Sequence, residues 1–244
     1  MPYSSDNFRW YYQTEGSGPL VVLLHGLLMN GQSWRQSGLV QALSKDYCVA
    51  YPDLPGHGLS DKTADSDAYS LRVQASGVIK LIDTIGYEKA QVIGYSSGAW
   101  LTAGLLQYYP ERLSSALIGG WDIVNGLPQG PDGPLKFDFF MSYARKTAPE
   151  LASWVTPDAE AGLSAFFHSL SQHQPMDTVI KQSCVPVAFW AGKDDPGYSS
   201  IEAWAKENEF PFLSGNGDHV TAMLQPDSLT LHQIQAFINQ VCSK

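Results

Sequence analysis

The stretch Gln91–Trp100, QVIGYSSGAW, constrains the fold of this chain more than any other. An apolar approach runs into Gly94-Tyr95-Ser96-Ser97-Gly98, a G-x-S-x-G pentapeptide, and small and apolar residues follow it. The pattern predicts a strand that turns sharply into a helix. Both ends of such a turn need residues almost without side chains, because the strand and helix backbones approach closely there, and glycine meets that demand without steric cost. Ser96 at the apex is then lifted clear of the sheet, its hydroxyl exposed above a helix N-terminus with free N–H groups and the positive end of the dipole. The competing reading is a serine- and glycine-rich turn with no chemistry, and the rest of the chain must separate the two.

The flanking sequence alternates strand and helix patterns. Asn7–Thr14 is an aromatic-rich strand. Leu20–Leu24 and Tyr47–Pro52 are short continuous apolar runs, the mark of strands buried on both faces. Ser33–Ser44 and Ser70–Ile85 have helical spacing, the second with Ser70 as N-cap and Gly86 just past its end. The helix after Ser96 is apolar nearly all round and ends at Pro110, and Leu113–Gly120 is the next strand. Asn125–Pro134 is then a Gly/Pro loop, and Leu135–Ser183 reads as several short helices crowded with aromatics. Alternation resumes with a strand at Val185–Trp190, a helix at Ser200–Glu207, a short strand at Phe210–Leu213 and a last helix near Ser228–Val241. The expected fold class is α/β, a mostly parallel central sheet flanked by helices, with its ligand crevice at the C-terminal strand ends. His25, Asp53, Ser96 and Trp121 all fall at such ends. The aromatic helical segment arrives at the same edge and is expected to form a lid at 123–182, with the core at 1–122 and 183–244, since ~60 residues make a weak independent core.

Composition narrows the function classes. The 244 residues are 44% hydrophobic, enough for one core with an inserted lid. A net charge of −9 disfavours a nucleic-acid partner or an anionic membrane surface. Cys48, Cys184 and Cys242 lie far apart, with neither a disulfide framework nor zinc spacing, which fits a reducing, cytoplasmic setting. The N-terminus lacks the pattern of a secretion signal, and no apolar run reaches the ~18 residues of a membrane span.

A serine hydroxyl needs a base to become a good nucleophile. Of six histidines, His25 sits at a strand end and shapes a loop, His57 lies in a Pro-Gly-His-Gly turn, His168 and His173 fall in the lid, and His232 in the last helix. His219 remains, in a loop after the last strand, where catalytic groups are presented. The base needs an acid to fix its tautomer. Asp195, in Gly192-Lys193-Asp194-Asp195-Pro196, is preferred to its neighbour Asp194, with Asp122 a more distant rival. The order Ser96, Asp195, His219 is that of the α/β-hydrolases. Two backbone N–H groups should face the developing oxyanion, Ser97 at the start of the elbow helix and Leu27 in the loop after Leu20–Leu24.

LVVLLHGLL, DLPGHGLSD, VIGYSSGAWL, QYYPERL, FWAGKDDP and GDHV together resemble successive landmarks of the α/β-hydrolase fold family, and specifically its small, lid-bearing branch of esterases, enol-lactone hydrolases and carbon–carbon bond hydrolases. The resemblance implies the α/β-hydrolase fold with a helical lid after the sixth strand, Ser96 as nucleophile, His219 as base, Asp195 as acid, and Leu27 and Ser97 as oxyanion donors, with no metal and no cofactor. In related dehalogenases and epoxide hydrolases the elbow residue is an aspartate, so serine here disfavours those activities. Ser97 stands where methionine or glutamine is common. The expected activity is hydrolysis of carboxylic esters of small to medium apolar or aromatic substrates, with Leu28, Tyr95 and Trp121 as substrate contacts and a monomer or homodimer as the acting unit. Lactones, thioesters or carbon–carbon bonds are the alternatives on the same triad, and a ligand-binding receptor with negligible turnover is the alternative of another class.

Overall fold

The computed structural model describes residues 3–4, 8–130 and 133–242. In chain order the elements are β1 (Tyr3–Ser4), β2 (Trp10–Glu15), β3 (Leu20–Leu24), α1 (Gly31–Gln36), α2 (Leu39–Leu43), β4 (Cys48–Pro52), α3 (Leu71–Ile85), β5 (Ala90–Tyr95), α4 (Ser97–Tyr108) and β6 (Leu113–Gly119). A helical segment follows, entered by a two-strand ribbon of β7 (Gln129–Gly130) and β8 (Gly133–Pro134) and built from α5 (Phe137–Thr147), α6 (Pro149–Ala152), α7 (Pro157–Ser171) and α8 (Asp177–Gln182). The chain closes with β9 (Val187–Gly192), α9 (Tyr198–Glu207), β10 (Phe212–Gly215), α10 (His219–Leu224) and α11 (Ser228–Cys242).

One sheet of order β1-β2-β4-β3-β5-β6-β9-β10 organises these elements. The strands from β4 to β10 run parallel, and β2 pairs antiparallel with both β1 and β4. Alternate residues of the apolar runs feed two cores. Leu20, Val22 and Leu24 of β3 pack on one face of the sheet with α3 and α4, while Val21 and Leu23 pack on the other with Trp34 of α1, Val40 of α2 and Ile238 of α11. Double burial explains why β3, β4, β5 and β9 read as continuous apolar runs. At about 1.5–3 kcal/mol per fully buried large aliphatic side chain, this packing is the main force fixing the strand order.

Most expected elements appear with shifted ends. The helix expected over Ser33–Ser44 is two, broken where Gly38 takes φ 80°. The aromatic strand starts at Trp10, and Asn7 lies outside the described residues. The strands expected at Val185 and Phe210 both begin two residues later. Ser70 stands at the N-cap of α3 but its side chain makes no capping bond, whereas Gly86 closes that helix at φ 94° with its N–H bonded to Ile82 and Asp83 carbonyls. The region expected as a Gly/Pro loop holds the β7–β8 ribbon, and residues 131 and 132 of it lie outside the described set.

The helical segment joins the core through specific contacts. Phe166 of α7 meets Tyr69, Trp100 and His57 edge-on, at centroid distances of 5.8, 6.2 and 5.4 Å. The Trp154 indole N–H donates to the Leu28 carbonyl at 2.9 Å. Within the segment, Phe140 stacks on Phe167 at 5.3 Å and Arg145 pairs with Glu160.

Candidate active site

β5 delivers Ser96 at its C-terminal end, and α4 begins with the next residue. Ser96 sits at φ 55°, ψ −119°, a strained conformation for a residue with a side chain. The turn is as tight as its glycines predict. A Cβ on Gly98 would collide with the Leu24 carbonyl, and one on Gly94 with the Gly98 carbonyl and the Thr102 hydroxyl. The Ser96 N–H is tied to the Gly119 carbonyl at 2.7 Å, which locks the elbow to β6.

His219 opens α10, capped by the Asp218 side chain, rather than lying in a free loop. Its Nδ1 is 2.5 Å from Asp195 Oδ2. The carboxylate can only accept, so Nδ1 carries the proton and Nε2 is left with its lone pair. Asp195 is 8% exposed, and its other oxygen accepts the Gly197 N–H at 2.8 Å. Burial alone would push the Asp195 carboxyl up, but the His219 bond and charge and the Gly197 N–H outweigh it and hold it below the usual carboxylate range. Asp194 is exposed. Asp122 is engaged elsewhere, accepting from the Val124 and Asn125 N–H groups and the Asn125 amide.

The Leu27 N–H is aimed by its own peptide. The Gly26 carbonyl accepts from His25 Nδ1 at 2.8 Å and from the Met29 N–H at 3.2 Å. The planar trans peptide then directs the Leu27 N–H the opposite way, and Gly26 lies against Ser96, since a Cβ there would be 3.6 Å from its Oγ. His25 Nε2 accepts the Leu54 N–H at 2.9 Å, which fixes the tautomer with the proton on Nδ1. Burial pushes the His25 imidazole down to about 4, so it stays neutral and keeps both roles. Among the described residues, neither the Leu27 nor the Ser97 N–H donates to a backbone carbonyl. The buried Ser97 side chain is 3.5 Å from the His25 carbonyl.

The three expected substrate contacts are placed differently from one another. Leu28 is 4% exposed at φ 64°, its carbonyl held by Trp154. Trp121 is buried edge-on against His173, with centroids 5.4 Å apart. Tyr95 is wholly buried in the core, its ring between Trp190 and His219. It lies beneath the site rather than in its mouth, because side chains alternate along β5 and Tyr95 shares the downward face of Ile93. Trp154 was not anticipated from the sequence, since nothing local links position 154 to position 28.

Cavities of about 720 and 660 Å³ open elsewhere, the first among Phe8, Trp10, Lys62 and Lys80, the second among Tyr11, Asn30, Leu59 and Trp154. Neither is lined by Ser96, Asp195 or His219. The strained Ser96 elbow, the His219–Asp195 pair and the two amides without backbone partners mark the candidate site better than cavity size does. Among the described residues no group of three or more His, Cys, Asp or Glu is arranged to hold a metal ion, and no helix is long and apolar enough to cross a membrane.

A family model for the alpha/beta hydrolase fold matches residues 19–153, more than half of the chain. The chain belongs to the α/β-hydrolase family. The chain is 37% identical over 113 residues to the pimeloyl-[acyl-carrier protein] methyl ester esterase of Vibrio parahaemolyticus, covering 46% of this chain and 40% of that protein. It is 37% identical over 93 residues to a soluble epoxide hydrolase of Corynebacterium, covering 38% and 31%. These matched stretches thus span well under two thirds of the curated relatives' own length. A solved carboxylesterase structure from the thaumarchaeon Nitrososphaera gargenis superposes with a TM-score of 0.81 over 99% of both chains at 18% identity, which supports the shared fold alone.

Proposed function

We propose that this α/β-hydrolase cleaves carboxylic esters through an acyl-enzyme on Ser96. The observation that carries the reading is the 2.5 Å bond between His219 Nδ1 and the buried Asp195 carboxylate, which leaves Nε2 free to act as a base. Ser96 attacks the ester carbonyl and His219 Nε2 takes its proton. The negative charge moves to the carbonyl oxygen, facing the Leu27 and Ser97 N–H groups, each worth on the order of 3 kcal/mol in the transition state. Collapse breaks the bond to the alkoxy oxygen, and His219 returns the proton to the departing alcohol. A water then gives its proton to His219 and attacks the acyl carbon, releasing the acid and restoring Ser96.

In this proposal residues 1–122 and 183–244 form the catalytic core and 123–182 the lid. The aromatic lining of that segment, with Leu28 and Trp121, favours small to medium apolar or aromatic esters. Serine at the elbow favours esters over epoxides, despite the epoxide hydrolase among the relatives.

The test combines fluorophosphonate labelling with turnover of p-nitrophenyl esters of graded chain length. Covalent labelling at Ser96 is expected, with a loss of kcat of roughly 10⁴-fold or more in Ser96→Ala. Unchanged ester turnover in that variant sinks the assignment. Labelling without measurable ester turnover would transfer the reading to another acyl substrate or to a receptor.

A further inference from the structure

We propose that Tyr95 is a positioning residue for His219, its buried ring forming the floor on which the imidazole rests and its π face stabilising the imidazolium that forms during turnover. The inference rests on the proposed role of His219 as the base. Tyr95 is the last residue of β5, directly before Ser96, and is completely buried. Its ring centroid is 5.2 Å from that of His219, with the planes at 47°, and 4.8 Å from that of Trp190. Backbone also hems the ring in, since a Cβ on Gly119 or Gly120 would come within 2.6 or 2.7 Å of it. The ring therefore has no room to turn away from the imidazole.

Asp195 grips only the Nδ1 edge of His219. That contact leaves the tilt of the imidazole plane unspecified, and an immobile ring packed against it at 47° limits this freedom. The Tyr95 hydroxyl is buried without a hydrogen-bond partner. Burial, reinforced by Asp195 and Asp218, pushes the phenol well above its ordinary value, so it stays neutral. An unpartnered hydroxyl costs stability and neither donates to nor accepts from His219. What Tyr95 offers the base is its ring. A cation within about 6 Å of an aromatic centroid is attracted to the π face, more strongly where water is excluded.

The decisive experiment varies the ring's electrons at nearly constant shape. Tyr95→Phe is followed by 4-fluoro-, 3,5-difluoro- and 3,4,5-trifluorophenylalanine at the same position. Fluorine withdraws π density, so kcat should fall stepwise, roughly 2- to 10-fold over the series, with KM changing less than about 2-fold. The groups facing His219 are Asp195, Asp218 and the phenol itself, and the first two are unchanged throughout. A less stable imidazolium loses its proton at lower pH, so the acid limb of kcat/KM should move to lower pH. Tyr95→Leu should lose more activity than Tyr95→Phe, which keeps the ring. A flat log kcat and an unmoved acid limb across the series, with Ser96 still labelled by fluorophosphonate, overturn the proposal. Failure to label Ser96 in the native protein overturns instead the serine hydrolase reading beneath it.

Discussion

Asp194 and Asp195 are adjacent and chemically identical, yet only Asp195 is buried and bonded to His219. Asp195→Asn keeps the volume but presents an amide that can donate to Nδ1, which favours the tautomer with its proton on Nε2, where it cannot act as base. Ester turnover should drop roughly 10³- to 10⁴-fold, while Asp194→Asn, on an exposed carboxylate, should stay within about 2-fold. Equal losses in the two variants would remove Asp195 from the triad. Their place after an apolar run nominates both aspartates alike, and burial is what separates them. Tyr95 is expected as a substrate contact from its nearness to Ser96 in the chain, but nearness in the chain says nothing of the face a side chain takes. Tyr95 lies two residues after Ile93 and therefore shares its face of β5, packed in the same core cluster. His25 was legible as a loop-shaping residue, and the structure gives the reason, a neutral imidazole bridging the Leu54 N–H and the Gly26 carbonyl.

Elements were legible where periodicity and glycine acted together, as in β5 and α4, where the close approach of two backbones leaves glycine as the residue that fits. They were less legible where a single residue interrupts a helical pattern, as Gly38 does between α1 and α2. Least legible is how the helical segment meets the core. The bond from Trp154, between α6 and α7, to the Leu28 carbonyl spans 126 residues. Leu28 is one of few non-glycine residues with positive φ, and its peptide follows directly on that of Leu27. The indole thus braces a strained loop that carries a proposed oxyanion donor. Trp154→Phe keeps an aromatic ring but removes the donor, and should lower kcat roughly 3- to 10-fold with stability reduced by about 1 kcal/mol. A rise in KM with kcat unchanged would show instead that Trp154 serves only to cover the substrate.

At the scale of the whole molecule, two buried histidines tie the fold to pH. His25 and His57 are both fully buried, with ring centroids 5.1 Å apart. Burial pushes His25 down to about 4, and burial together with the charge that His25 would carry pushes His57 down to about 3. An unfolded chain takes up both protons near pH 6.5, whereas the folded chain refuses them until well below pH 5. Between about pH 6 and 4 the unfolded state therefore binds more protons, and stability rises with pH there, by at most about 2.7 kcal/mol per pH unit for two groups. Asp195 acts below this window, because its lowered carboxyl stays ionised after its unfolded counterpart has protonated, so stability is lost further as pH falls through its folded value. Urea midpoints should accordingly fall steadily from pH 6.5 to 4. His57 allows the test to be made specific, because its Nε2 is buried without a partner and its ring is surrounded by His25, Trp154 and Phe166. His57→Phe keeps that aromatic packing, gives up the bond from Nδ1 to the Pro55 carbonyl, and removes one of the two protons. Its stability should depend on pH less steeply over the same range, His173, also lowered by burial, contributing equally in both proteins. Equal slopes in the two proteins would mean that His57 takes up its proton without unfolding.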